Sequence, residues 1–201
     1  MASIGHLLFG LAVARAHDRH AQAAVPHRSV RERATAAVAF SALALAPDLD
    51  VIAFPLGIPY GAELGHRGAA HSLLVGVVVG VAAALVLARE LRAALVPTAL
   101  AAVAAVTSHG LLDALTDGGL GIALCWPWSN ERLFAPLQPI PVAPIGAAFL
   151  SARGLHVAAV ELLLFSPCAL YAIFGGRGVA ARLVGRLRAA PGATRARAPD
   201  R

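Results

Sequence analysis

His6, Asp48, Asp50, His66, Arg67, His71, His109, Asp113 and Asp117 interrupt a sequence otherwise dominated by Ala, Leu and Val. Imidazole and carboxylate side chains together bind divalent transition metals. A mixed His/Asp set suits zinc, and also manganese or iron. Polar groups at the margins of long apolar runs are costly to bury, so their presence points to a function or a partner. Four His and four Asp exceed what one tetrahedral ion needs. The surplus suits two ions, or one ion with a carboxylate as general base. A divalent ion lowers the pKa of a bound water toward neutrality and so supplies a nucleophile. Asp50, Arg67 and Asp117 are the candidates for catalytic roles. Arg67, always charged and able to make bidentate contacts, suits a substrate phosphate or carboxylate, or developing negative charge.

Spacing decides which of these can converge. His109, Asp113 and Asp117 are four apart, which on a helix gives one stripe. Asp117 falls where that helix is expected to end. Asp48-Leu49-Asp50 follows Pro47, so an extended or kinked segment would present both carboxylates on one face. His66 and His71, five apart, do not share a helix face. They fit better with His66 in the Gly65–Gly68 turn and His71 in a first helical turn.

Each residue alone has a plainer explanation. A single interfacial His is more often a structural hydrogen-bonder, Asp48 and Asp50 could cap a turn, and Arg67 could anchor to headgroups. His17, His20 and His27 lie in an Arg-rich stretch and read as structural. His156 and Glu161 sit in the last apolar run, where Glu161 could face the site as a supporting base.

The elements that must position these groups are membrane helices. The chain has 201 residues, 58% of them apolar, and a mean hydropathy of +0.71, well above the soluble norm of roughly 45–50% apolar. Its length fits one domain. Ala69–Ala88 and Leu155–Phe174 are each long enough to cross a bilayer as helices, and Ala93–Leu115 is a third span, with Pro97 tolerable near its start. Ala34–Ala46 is short. Ser29 and Glu32 form a capping-box pattern, and continuation past Pro47 would complete a fourth span. Ile4–Ala14 is either a partly inserted helix or one that runs on toward Ala24.

The fold expected is therefore all-α, a polytopic helical bundle of about five membrane-embedded helices over residues 1–175. Residues 176–201 read as a basic, disordered cytoplasmic tail. Residues 116–153 form a Pro-rich loop whose Trp126 and Trp128 suit the membrane interface. Cys125 and Cys168 form no motif, so neither a disulfide nor a thiolate metal site is expected. The N-terminus lacks the basic region and cleavage site of a signal peptide, so the first helix should be retained.

Arginine supplies all seventeen basic residues, behind a net charge of +6. They flank apolar runs without aromatic interleaving, which argues against a nucleic-acid partner. With five crossings, fourteen arginines fall on one face and only Arg67, Arg132 and Arg153 on the other. The positive-inside rule then makes the C-terminus cytoplasmic. All nine polar residues fall on the opposite, extracytoplasmic face, although the arginine count never used the His and Asp positions. A site at that level favours an amphiphilic, lipid-like substrate.

Gly5-His6-Leu7-Leu8-Phe9, Pro47-Asp48-Leu49-Asp50, Gly65-His66-Arg67-Gly68 with His71-Ser72-Leu73-Leu74, Ser108-His109 with Leu112-Asp113, and Leu124-Cys125-Trp126-Pro127 occur in that order. This ordered set resembles the YdjM/YbcI-like family, whose members are described as bacterial inner-membrane metal-dependent hydrolases. The resemblance covers roughly residues 1–135. It departs from the usual form only at Ala69-Ala70, where an aromatic is common. It implies inner-membrane residence, hydrolase activity, and metal ligation by His6, Asp48, Asp50, His66, His71, His109 and Asp113.

The sequence thus predicts a metal-dependent hydrolase cleaving an ester or phosphoester of a lipid-like substrate. The alternative is a non-catalytic metal-binding membrane protein, such as a transporter or sensor component. A transporter would place ionisable groups at mid-membrane, often within a repeat. No internal repeat is visible.

Overall fold

A computed structural model describes residues 3–24 and 28–175. The tail anticipated at 176–201 and His27 lie outside the described residues. Among those described, the architecture is all-helical: α1 (Ser3–Ala24), α2 (Val30–Leu45), α3 (Leu73–Glu90), α4 (Leu95–Asp113), α5 (Ala152–Leu164) and α6 (Ser166–Phe174). Helix α1 runs the full length to Ala24 and packs against α2, α4, α5 and α6, while α3 packs chiefly on α4.

Local chemistry sets the helix limits. Ser29 caps α2, and Glu32 returns the favour at the Ser29 backbone, completing the capping box. The chain then tightens into a 3-10 helix, Ala46–Ala53, with Pro47 in its first turn where a missing N–H costs nothing. Asp48 and Asp50 therefore lie on a 3-10 helix, not on the extended segment expected from Pro47. Helix α3 begins at Leu73, later than the expected Ala69, because the Ser72 side chain accepts from the Val75 N–H and sets the cap there. His71 consequently closes a separate short turn, Ala69–His71. The last apolar run is also two helices, not one. Pro167 in the first turn of α6 accompanies a 56° bend between α5 and α6.

Val30–Ala53, α3 and α4 are each long and apolar enough to cross a membrane, and the bent α5–α6 pair makes a fourth candidate. Helix α1 has the length for a fifth rod but carries charges along its second half. Only Gly76, Gly80 and Ala84 of α3 are buried, while Val77, Val78, Val81, Leu85 and Val86 are exposed, as lipid-facing side chains should be.

The buried stripe explains how α3 meets α4. Lipid tails are as apolar as leucine, so membrane helices associate through close packing of small residues. A Cβ at Gly80 would fall 2.6 Å from both the Cα and the N of Val103. Gly80→Leu should push the helices apart and cost about 2–3 kcal/mol. A lowered melting temperature in detergent would show this; an unchanged one would mean that α3 docks elsewhere.

Two polar ends cap the bundle. At one, Arg28 donates to Asp18 at 2.7 Å and to the Leu91 carbonyl at 3.0 Å, and His17 meets Thr98 at 3.0 Å. At the other, loops 54–68 and 114–145 fold over the helix ends. Isolated bridges Thr116–Ile140 and Ile122–Leu133 shape the second loop. Arg132 ties it to the first, donating to the carbonyls of His66, Tyr60 and Ala62.

Candidate metal centre

One turn of α4 carries His109 and Asp113 side by side, both fully buried. His109 Nδ1 lies 2.7 Å from the Ala44 carbonyl at the end of α2. A carbonyl only accepts, so Nδ1 carries a proton, and in the neutral ring Nε2 presents its lone pair. That nitrogen faces Asp48 Oδ1 at 3.2 Å. Neither atom has a hydrogen-bond partner among the described residues. A buried carboxylate oxygen this close to an imidazole nitrogen is satisfied by a cation between them, a proton on Nε2 or a metal ion.

The 3-10 helix delivers the next pair. Asp50 accepts from the Arg67 backbone N–H at 3.1 Å, and lies 2.6 Å from His66 Nδ1 and 3.0 Å from His71 Nδ1. His71 Nε2 reaches the other side, 3.6 Å from Asp48 and 3.8 Å from Asp113. His66 occupies the turn before the short Ala69–His71 element, edge-on to His71 and to Tyr60. Gly110 makes room on α4, since a Cβ there would collide with the His71 carbonyl.

Ligand-type atoms thus converge in two adjoining groups: Asp48, Asp50, His66 and His71, and Asp48, His71, His109 and Asp113, each within 4.8 Å. Asp48 and His71 belong to both. Burial pushes the His71 imidazole down, but the Asp48 and Asp50 carboxylates outweigh it and lift the ring to about 8. His71 therefore gives up a proton before it can ligate. Three imidazoles and three carboxylates, all but enclosed, fit a divalent ion such as zinc, manganese or iron.

Three expected participants take other places. His6 stands outside both groups. Its Nε2 lies 3.1 Å from Asp113 Oδ1 and its ring stacks on His109 at 3.8 Å, which places it directly behind two ligand-type residues. Arg67 is 1% exposed. Its guanidinium donates to the Gly118 carbonyl and Thr116 Oγ1, and its Nε pairs with Asp113 at 3.2 Å. Three of the five guanidinium N–H groups are thus directed at protein acceptors in the 113–118 segment. Asp117 is past the end of α4 and exposed, where it accepts from the Val142 N–H. It faces away because the chain leaves the helix after Asp113.

Glu161 is buried beneath the site. Its Oε2 accepts from the backbone N–H groups of Ile4 and Gly5, at 2.9 and 3.0 Å, and so caps the first turn of α1 just ahead of His6. It touches the cluster only through that turn. His156 is exposed and apart, as is His20, while His17 is the buried partner of Thr98.

Sequence reasoning missed Thr116 and Arg132. Thr116 bridges Arg67 and the Asp113 carbonyl, at 3.1 and 2.7 Å. Its three-residue offset from Asp113 was the available signal. The Ala44 carbonyl, which fixes the His109 tautomer, left no trace in residue type.

A family model described as YdjM inner membrane protein matches residues 1–184. The chain belongs to that family. Within it, Inner membrane protein YbcI of Escherichia coli (strain K12) is 42% identical over 122 residues, covering 60% of this chain and 70% of the relative. No solved structure matches the chain. The family match takes in α5 and α6 as well as the motif-bearing first two thirds, so Glu161 falls within the family's own extent. Inner-membrane residence agrees with three to four helices able to span a bilayer.

Proposed function

We propose that this chain is a membrane-embedded metal-dependent hydrolase acting on an ester or phosphoester of a lipid-like substrate. The observation behind this reading is the convergence of six ligand-type side chains in two adjoining groups, with His109 Nε2 and Asp48 Oδ1 buried 3.2 Å apart. Asp48, Asp50, His66, His71, His109 and Asp113 would hold one or two divalent ions, zinc first among them. Such an ion supplies Lewis acidity and a nucleophile at neutral pH. The chain's own residues do the rest. His6 and Arg67 orient Asp113, and Ala44 fixes the His109 tautomer. Asp48 and Asp50, with side chains 11% and 6% exposed, are the least enclosed members and mark the side from which a substrate would approach. Asp50, already within reach of two imidazoles, is the carboxylate best placed to accept a proton.

With the fourteen-arginine face cytoplasmic, the site opens on the extracytoplasmic surface and the C-terminus lies inside. Exposed Cys125, on the site-end loop, should then react with an impermeant thiol reagent in intact cells. Labelling only after lysis would invert the topology. A second reading, a non-catalytic metal-binding protein, is favoured by the near-complete burial of His71, His109, Asp113 and Arg67. Hydrolysis of a panel of lipid phosphoesters by purified protein separates the two. Activity that falls at least about 100-fold in Asp50→Asn with metal content retained supports the enzyme. A metal-replete protein inert on every ester would leave the binding protein.

A further inference from the structure

The bundle end opposite the His/Asp cluster carries a concavity of about 410 Å³ between the first turn of α2 and the α3–α4 turn. Arg31, Arg89 and Arg92 line it, with Glu32, Glu90 and the hydroxyls of Ser29 and Thr35. Among the described residues, the arginines held in ion pairs are Arg28 and Arg67, and not these three. Arg89 spends one contact, at 3.4 Å, on the Leu85 carbonyl of its own helix. Glu32 Oε2 is turned back onto the Ser29 N–H and hydroxyl at 2.8 and 3.1 Å, and with Glu90 it leaves the three arginines one positive charge in excess. Arg92 keeps a φ of +48°, a left-handed conformation that would suit glycine better, so a charged side chain is retained at a backbone cost.

We infer that this concavity binds the phosphate headgroup of an anionic phospholipid. Three arginines, from α2, α3 and the α3–α4 turn, line one hollow, and guanidinium is the side-chain group best matched to phosphate oxygens. The neighbouring surface explains why the phosphate is a lipid's. Val30 and Val38 on α2 and Leu85 and Val86 on α3 are exposed beside the hollow and offer an apolar path for acyl chains. Basic pockets between membrane helices commonly hold such headgroups.

The test uses the full-length protein, exchanged from detergent into micelles doped with phosphatidylglycerol or phosphatidylcholine, with bound lipid read by native mass spectrometry. Wild type should retain phosphatidylglycerol in preference, and the triple variant Arg31→Gln, Arg89→Gln, Arg92→Gln should lose about tenfold or more of that retention. An Arg19→Gln control, on the exposed face of α1, should lose little. An unchanged melting temperature in the triple variant assigns its loss to the pocket. Equal retention of the two lipids by wild type would overturn the site. So would a control loss as large as the triple variant's, which would signify diffuse surface charge. Displacement of the lipid by millimolar inorganic phosphate would overturn the lipid assignment in favour of a free anion.

Discussion

An Asp48→Ala protein should retain no divalent metal after dialysis, whereas His66→Ala and His109→Ala should each lose only part of it. Asp48 belongs to both groups of four ligand-type residues, while His66 belongs to one and His109 to the other. Removing the shared carboxylate strips each group of an anionic donor and leaves His109 Nε2 and His71 Nε2 facing an apolar methyl group. Even outer partners of metal ligands are commonly worth about 10–100-fold in affinity, so loss of a shared ligand should exceed about 100-fold at both positions. Elemental analysis of the purified variants gives the stoichiometry, and chelator competition gives the affinity. Two ions in wild type, one in each single-histidine variant and none in Asp48→Ala is the pattern expected of adjoining sites. One ion in wild type, lost in His109→Ala and kept in His66→Ala, would assign it to the α4 side. Metal content unchanged by Asp48→Ala would dismiss the centre altogether.

The second large effect is expected far from any ligand. Glu161→Ala removes the acceptor for two buried backbone N–H groups at the start of α1. Hydrogen bonds to a charged group are worth about 1.5–3 kcal/mol each, and the orphaned donors add a desolvation cost, so a loss of about 3 kcal/mol or more follows. The same turn carries His6, which braces Asp113 and stacks on His109. Metal affinity should therefore drop about tenfold alongside stability. Glu161→Gln keeps a carbonyl acceptor in place and should restore most of both. Thermal unfolding and chelator competition, run on the same samples, check this. Lost stability with wild-type affinity would reduce Glu161 to a helix clamp without influence on the site.

The groups that converge were legible in the sequence because they are expensive. His and Asp beside apolar runs stand out, and the helical offset of His109 from Asp113 already gave one shared face. Arginine bias then placed the remainder at the same end. Geometry between elements was not legible in this way. Pro47 announced a change of backbone, but extended and 3-10 structure both accommodate it, and only packing against α4 and the 66–71 turn selects the latter. Arg67 shows a further limit. Its charge and its place in a Gly-rich turn suggested an anion receptor, yet three acceptors from the 113–118 segment enclose it. Those acceptors are a backbone carbonyl, a threonine hydroxyl and a carboxylate, which composition cannot assign to one partner. The bend after Leu164 was foreseeable from Pro167, whereas the destination of Glu161 depended on where α1 begins.

The contact between Glu161 and the Ile4 and Gly5 amides joins points 157 and 156 residues apart. In terms of biogenesis, the start of α1 is secured by a helix that leaves the ribosome long after it. The ligand-bearing helices can enter the bilayer, and α3 can zip onto α4 through their small-residue seam, while the start of α1 still lacks its clamp. Closing so long a loop is entropically slow, so the turn that carries His6 is braced only after α5 has emerged. A nascent chain that stops before α5 would thus present the His/Asp cluster without the brace on its His6 turn.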